Sequence, residues 1–145
     1  MPTDLRFRSV WQLVAEPDAV QAALGDVAAY PTWWPGIARV ERDDAGDVVL
    51  AVRGPLPVAV RIRVTGLDAT DGVLAARLRR DVLGWCSWHV AAAPQGGTSV
   101  VMQQHVMLQR RALRTLARVA PRRLQASHAA LMRAGETGLR ALLEP

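Results

Sequence analysis

Hydrophobic and polar residues alternate along most of the chain, and the spacing changes to that of a helix near its end. Val58, Val60, Ile62 and Val64 are separated by single polar or small residues, which is the two-residue period of a β-strand. From Pro121 to Leu143 the apolar residues instead recur every three or four positions and share one helix face. The pattern predicts a series of strands followed by one long amphipathic helix.

Glycine, proline and aspartate divide the alternating region into short segments, as in a β-meander. The pattern predicts strands at 5–14, 37–42, 48–53, 58–65, 74–80, 85–93 and 98–108. It predicts a helix that begins at Glu16-Pro17-Asp18 and ends at Gly25, a short helix from Asp26 towards Tyr30, a helix at 110–118 and the long helix at 121–143. A curved meander around a single helix leaves a pocket, because one helix cannot fill the concave face.

Several short strings occur in a recognisable order. They are Trp11 with Glu16-Pro17-Asp18-Ala19-Val20, Asp26 with Tyr30-Pro31-Thr32-Trp33-Trp34-Pro35-Gly36, Arg53-Gly54-Pro55-Leu56-Pro57, Gly96-Gly97-Thr98, and His128 with Met132, Gly135, Gly138 and Leu139. This ordered set resembles the START-like helix-grip superfamily, specifically its polyketide cyclase/dehydrase and lipid-transport branch.

The resemblance implies an α+β helix-grip fold in a single ligand-binding domain over residues 1–145. A seven-stranded antiparallel sheet would wrap around the long C-terminal helix, with two short helices after the first strand. The enclosed apolar cavity would bind a hydrophobic small molecule, because members bind lipids, hormones or polyketides. Only some members are enzymes, and no shared catalytic set transfers to this chain.

Two adjacent indoles, Trp33 and Trp34, stand between Pro31 and Pro35. Large apolar rings on a stiff segment suit the wall of a ligand pocket. They would equally plug one end of a core. A third interpretation is that they dip into a membrane surface.

The hairpin around Gln95-Gly96-Gly97 predicts which side chains share a face. A three-residue loop there pairs Cys86 with Val106, Trp88 with Gln104, and Val90 with Met102. The cavity-facing set is then Cys86, Trp88, Val90, Val100, Met102, Gln104 and Val106. Gln104 would need a partner in an apolar pocket, either a ligand carbonyl or hydroxyl or a neighbouring group or water.

Three residues are candidates for catalysis. His128 lies on the apolar stripe of the long helix, where it is either a general acid or base or a satisfied core histidine. Tyr30, the only tyrosine, offers a phenol at the pocket mouth. Arg80 alternates with apolar residues, so we expect it to point inward towards a carboxylate or enolate-like oxygen. The ligand-binding candidates are Trp11, Trp33, Trp34, Cys86, Trp88, Val100, Met102, Gln104 and Leu131.

The amino-acid composition excludes several kinds of functional site. The chain has 18 basic residues, all arginine, so no lysine can form a Schiff base or hold a phosphate in a P-loop. Cys86 is the only cysteine, which excludes an internal disulfide and a cysteine-rich zinc site. His89 and His105 have no carboxylate ligand beside them, so we expect neither a metal nor a cofactor. No apolar stretch approaches the ~20 residues of a membrane span, and we expect a cytoplasmic protein without stable membrane insertion.

Arginines crowd one short region, at Arg110, Arg111, Arg114, Arg118, Arg122 and Arg123. They would dock an acidic partner such as an acyl carrier protein, dock an anionic membrane, or simply form a solvated helix face. Nucleic acid is disfavoured because no aromatic residues are interleaved with the arginines. The sequence leaves three hypotheses: a polyketide cyclase or dehydratase, a non-catalytic carrier or sensor of a hydrophobic molecule, and an interaction module that uses this region.

Overall fold

Seven antiparallel strands form one sheet in the computed structural model, which describes residues 4–53 and 59–144. The strand order is β1-β7-β6-β5-β4-β3-β2, so six strands follow one another as a meander and the first strand pairs with the last. The strands are β1 Asp4–Leu13, β2 Ile37–Arg42, β3 Val48–Val52, β4 Val60–Thr70, β5 Val73–Arg80, β6 Val82–Ala92 and β7 Thr98–Leu108. The sheet expected from the alternating pattern is confirmed.

The helices lie where the helical spacing predicts them. They are α1 Pro17–Gly25, a 3₁₀ helix Val27–Thr32, α2 Arg111–Val119 and α3 Pro121–Leu143. Neither α3 nor any shorter helix of the described residues has the length and apolarity needed to cross a bilayer. The predicted strand break at Gly54-Pro55-Leu56-Pro57, which is also part of a resemblance string, and Val58 at the start of the predicted strand 58–65 lie outside the described residues.

Two strands are longer than the pattern predicts. β4 continues to Thr70 because a bulge between Thr65 and Asp68, with Gly66 at a φ of 62°, interrupts the alternation without ending the pairing. β6 begins at Val82 rather than Trp85 because Val82, 5% exposed, already pairs with Leu108. The connection between β5 and β6 is therefore Asp81 alone.

The predicted pairing of β6 with β7 is wrong by two residues. Cys86 pairs with Gln104, Trp88 with Met102, and Val90 with Val100. The loop is longer than three residues because Pro94 has no N–H for the ladder, so Ala92 and Thr98 form the last strand pair. A shift of two residues preserves alternation, and each side chain keeps its predicted face.

Side chains at the C-terminal end of α3 fix the helix against the end of β1. Glu136 Oε2 accepts a hydrogen bond from the Gln12 N–H at 2.9 Å, and Arg140 Nη2 donates to the Gln12 carbonyl at 2.8 Å. Glu144 accepts from the N–H groups of Val14 and Ala15. These contacts satisfy backbone groups where β1 leaves the sheet, and they hold the helix across the concave face.

Candidate ligand-binding cavity

A cavity of about 190 Å³ lies between the concave face of the sheet and the first half of α3. The helix contributes Leu124, Ser127, His128, Leu131 and Met132, and α2 contributes Leu113. Strand residues such as Leu5, Phe7, Val60, Ile62, Leu78, Val82 and Leu108 complete the wall. No charged side chain of the described residues lines this space.

Most of the cavity lies towards one end of the molecule, and Leu67 and Leu74 extend its wall towards the β4–β5 hairpin. We call the end that carries α2 and the β5–β6 turn the α2 end, and the end that carries the turns at 43–47, 71–72 and 93–97 the hairpin end. At the hairpin end the space is filled by Leu13, Val20, Leu24, Val100 and Leu139, each at most 5% exposed. Apolar packing from α1 therefore fills much of the hairpin end, and most of the cavity lies towards the α2 end.

Five aromatic residues form a continuous cluster at the inner limit of the cavity: Trp11, Tyr30, Trp33, Trp34 and Trp88. Trp34 and Trp88 line it, while Trp11 and Trp33 pack behind them with ring centroids 5.1 to 5.5 Å apart. The Trp34 indole N–H donates to the Leu131 carbonyl at 2.9 Å, which ties this cluster to α3. Trp34 thus forms part of the cavity wall, whereas Trp33 is buried in the core behind it. Because Trp33 and Trp34 are only 6% and 4% exposed, the membrane-surface interpretation is wrong.

Gln104 and His128 form a hydrogen-bonded polar pair on the mostly apolar wall. Gln104 Oε1 lies 3.0 Å from His128 Nε2, and the imidazole stacks on Phe7 with ring centroids 3.7 Å apart. An amide oxygen only accepts, so Nε2 carries the proton and Nδ1 has a free lone pair. Burial lowers the pKa of His128 to about 4, which keeps the ring neutral near pH 7.

Cys86 and Tyr30 also line the cavity, and both are uncharged. Cys86 pairs with Gln104 across the ladder, and burial raises the pKa of its thiol to about 11. The Tyr30 hydroxyl donates to the Leu24 carbonyl at 2.5 Å, and burial raises its pKa above the usual value. Tyr30 lies inside the aromatic cluster and is 5% exposed, so the expectation that its phenol stands at the mouth is wrong.

The expected inward orientation of Arg80 is wrong. Leu74, Ala76 and Leu78 do face inward, but Arg80 has a φ of 88° and is exposed. The left-handed backbone at the end of β5 breaks the alternation, and Val82 takes the next inward position. Among the ligand-binding candidates, Trp11, Trp33 and Val100 are buried in the core without lining the cavity, whereas Trp34, Cys86, Trp88, Met102, Gln104 and Leu131 line it.

Many wall residues are absent from the predicted set, and Phe7 and Leu113 are two examples. Phe7 shares the inward parity of Trp11 on β1, so strand alternation alone indicates its direction. Leu113 is the buried residue of α2 and closes the cavity at that end. Its role depends on where α2 packs, which local spacing does not specify.

The sequence matches a known family over almost its whole length. Residues 5–144 match the model of the polyketide cyclase/dehydrase and lipid transport family. The chain belongs to that family. No curated protein matches it significantly.

Several solved structures share the fold of this family member at low identity. The aromatase/cyclase ZhuI from Streptomyces sp. R1128 is 18% identical with a TM-score of 0.74, over 97% of this chain and 94% of that one. A START superfamily protein from Mycobacterium smegmatis is 13% identical with a TM-score of 0.69, over 96% and 97% of the two chains. The di-domain aromatase/cyclase BexL from the BE-7585A biosynthetic pathway is 14% identical with a TM-score of 0.74, and it aligns with 99% of this chain. The chain spans only about half, 52%, of BexL. These likenesses establish the helix-grip fold.

Proposed function

We propose that this protein binds a hydrophobic small molecule, polyketide-like or lipid, in the cavity beside α3. The observation that carries the proposal is an apolar wall interrupted by one hydrogen-bonded pair, Gln104 and His128. Ligand sites commonly combine an apolar lining with a few converging polar groups. Transfer of apolar ligand surface from water supplies the affinity, about 25 cal/mol per Å² buried.

The polar pair would orient the bound molecule. Gln104 Oε1 is engaged by His128, and the Gln104 amide nitrogen has no hydrogen-bond partner among residues 4–53 and 59–144. That nitrogen is a donor for a ligand carbonyl or hydroxyl. The free Nδ1 lone pair of His128 is an acceptor for a hydroxyl. A purely hydrocarbon ligand would bury this donor without a partner, at a cost of about 1–3 kcal/mol, so a ligand oxygen here is favoured.

Cyclisation or dehydration of the bound molecule is the second candidate function, and the neutral His128 favours it. Nδ1 would take a proton from a carbon beside a ligand carbonyl, and the resulting enolate would attack a second carbonyl of the same chain. The new alkoxide would take the proton back, and loss of one water would form the unsaturated ring. A base whose conjugate acid has a low pKa is already free at pH 7, although the low value limits its strength. Arg80 and Tyr30 stay predictions as catalytic residues, as does docking of an acyl carrier protein on the arginine-rich region.

Binding is tested with the neutral dye N-phenyl-1-naphthylamine and a variant that fills the cavity. Ala76 lines the cavity and is 6% exposed, so Ala76→Phe should occupy ligand space and weaken dye binding at least about tenfold. Ala91→Phe makes the same change at an exposed position of β6 and is the matched control. Equal dye affinity in Ala76→Phe and Ala91→Phe, with both folded by circular dichroism, would reject the cavity as the binding site.

Catalysis is tested with heptane-2,6-dione. Its internal aldol closure and loss of water form 3-methylcyclohex-2-enone, which absorbs strongly in the ultraviolet. The wild type should accelerate ring formation, and His128→Phe should lose the acceleration while it still binds the dye. If the wild-type protein forms the ring no faster than buffer alone, the catalytic proposal is rejected and only the binding proposal stands. Undiminished rates in His128→Phe would remove His128 from the reaction.

A further inference from the structure

The outer face of the sheet carries three large apolar side chains beside one another. Leu83, Trp85 and Met107 are 43%, 44% and 48% exposed, although the solvated face of an antiparallel sheet usually carries polar residues. Leu83 pairs with Met107 across β6 and β7, and Trp85 is the next outward residue of β6 after Leu83. The three side chains therefore form one continuous apolar surface on the side of the sheet opposite to the cavity.

Arginines lie on both sides of this apolar surface. Trp85 pairs with His105 of β7 on one side and with Arg77 of β5 on the other. His105 pairs in turn with Arg6 of β1. Four exposed arginines occupy outward positions of β1 and β5: Arg6, Arg8, Arg77 and Arg79. We call these four arginines, together with the three apolar residues, the outer patch.

The positive charge of the outer patch is not neutralised by acids of the chain. Within residues 4–53 and 59–144, none of its four arginines has a carboxylate within 4.0 Å. Asp4 faces the same way beside Met107, but its carboxylate pairs with His105 instead. The outer patch therefore presents forked guanidinium donors, which suit phosphate groups, around an apolar centre.

The occupant of such a surface must supply anionic groups around an apolar region. A second copy of the outer patch does not, because it would bring four further arginines against the first four. A rigid partner protein would need a concave face, since the sheet curves around α3 and its outer face is convex. An anionic bilayer adapts to a convex surface because its lipids move individually. Their phosphates can gather at the arginines while apolar side chains enter the acyl-chain boundary.

We propose that the outer patch docks this protein reversibly on an anionic lipid surface. Trp85 and its two apolar neighbours enter the boundary between head groups and acyl chains, where indole rings are favoured, and the arginines bind lipid phosphates. The inference goes beyond the proposed function. It does not require a ligand in the cavity, because the cavity wall lies on the opposite face of the same strands.

Sedimentation with vesicles tests the docking. One set of vesicles is phosphatidylcholine alone, and the other is equal parts of phosphatidylcholine and phosphatidylglycerol. At low ionic strength the protein should bind the anionic vesicles at least about tenfold more tightly, and the ratio should fall towards one in molar salt. Equal binding to both sets at low ionic strength would overturn the assignment to anionic lipid. Binding to neither set would reject membrane docking and leave ligand binding in the cavity intact.

Trp85 reports the contact directly, because the other four tryptophans are at most 8% exposed. Anionic vesicles with brominated acyl chains should quench part of the wild-type fluorescence. Trp85→Phe should lose this quenching while it still sediments with the vesicles. A lipid chain taken into the cavity would instead quench Trp34 and Trp88, which line it. Quenching that persists in Trp85→Phe but disappears in Ala76→Phe would therefore overturn docking by the outer patch.

Two triple variants with the same change in net charge locate the contact. One removes charge from the outer patch: Arg6→Gln, Arg77→Gln and Arg79→Gln. The control removes exposed charge from the arginine-rich region of α2 and α3: Arg114→Gln, Arg118→Gln and Arg122→Gln. With both variants folded by circular dichroism, the patch variant should bind anionic vesicles no better than neutral ones, and the control should retain most of the preference. Equal losses, or a larger loss in the control, would overturn the assignment to the outer patch.

Two further measurements distinguish the other occupants. Sedimentation velocity without lipid should give the same species for the wild type and the patch variant. A wild-type dimer that the patch variant lacks would make the outer patch an interface between copies and overturn lipid docking. Poly-L-glutamate represents an acidic protein surface. If it binds the wild type but not the patch variant, and anionic vesicles bind neither, the occupant is an acidic protein and the proposal is wrong.

Discussion

Gly138 of α3 lies directly against the backbone carbonyl of Trp33, with no space between them for a Cβ atom. One turn earlier on the helix, a Cβ at Gly135 would lie 2.5 Å from the Trp34 ring. The two glycines let the helix approach the segment that carries both indoles. The position of the cavity wall therefore depends on the absence of side chains from one short stretch of helix.

Gly138→Ala should destabilise the protein, although alanine is the better helix former by about 1 kcal/mol. The added Cβ would overlap a backbone oxygen, and backbone cannot turn aside as a flexible side chain can. We expect a net loss of roughly 1–3 kcal/mol in the free energy of unfolding, measured with urea. Thr137→Ala, at an exposed position of the same helix, is the control and should be neutral or slightly stabilising. A stabilised Gly138→Ala would mean that the helix does not approach the indole segment this closely.

His128 should make folding stability depend on pH. Its pKa falls from the usual ~6.5 to about 4, so between these values the unfolded chain takes up a proton that the folded protein does not. Stability should accordingly decrease as the pH falls from 6.5 to 4, by at most roughly 3 kcal/mol. Urea denaturation at several pH values should give a smaller decrease for His128→Leu than for the wild type.

His89→Leu is the control for that comparison, because His89 is exposed on the outer face of β6. It should retain the pH dependence of the wild type. A histidine resonance of His128 that titrates near pH 6.5 by NMR would contradict the buried, neutral state.

Cys86 should react slowly with thiol reagents. Burial raises the pKa of its thiol to about 11, so little reactive thiolate is present at pH 8. We expect modification by Ellman's reagent at least about 100-fold slower than for free cysteine, whose pKa is ~8.5, with full reactivity in denaturant. A bound cavity ligand should slow the reaction further, since Cys86 lines that space. Reaction at the rate of free cysteine would show that the wall opens easily to water.

Asp81 should contribute more to the free energy of unfolding than an ordinary turn residue does. Its carboxylate accepts the Arg61 N–H, and its backbone carbonyl accepts the Gln109 N–H at 2.9 Å, so it joins β4, the β5–β6 turn and the segment before α2. Asp81→Ala should lower the free energy of unfolding by about 1–3 kcal/mol because the Arg61 N–H loses its partner. Asp44→Ala, in the exposed β2–β3 turn, should change it by less than about 0.5 kcal/mol. Equal effects of the two substitutions in thermal and urea unfolding would count against this role.

Local patterns were sufficient for the elements and for most inward-facing residues. The bounds of α3, β2 and β7 agree with those expected from spacing and turn residues. Strand alternation was also sufficient to predict which face of β7 carries Gln104. That prediction holds although the predicted pairing partner was wrong by two residues. Arg80 shows where parity fails, because one left-handed backbone conformation at a strand end reverses the direction of a side chain.

The sequence by itself determined the strands, the long helix, the direction of Gln104 and His128, and the excess of arginine, because each follows from local spacing or composition. The tertiary structure decided that α1 and the aromatic cluster fill the hairpin end and that α2 closes the other end with Leu113. It also brought His128 to 3.0 Å from Gln104. These relationships join residues far apart in the chain, and they depend on how the elements pack rather than on any period along the sequence.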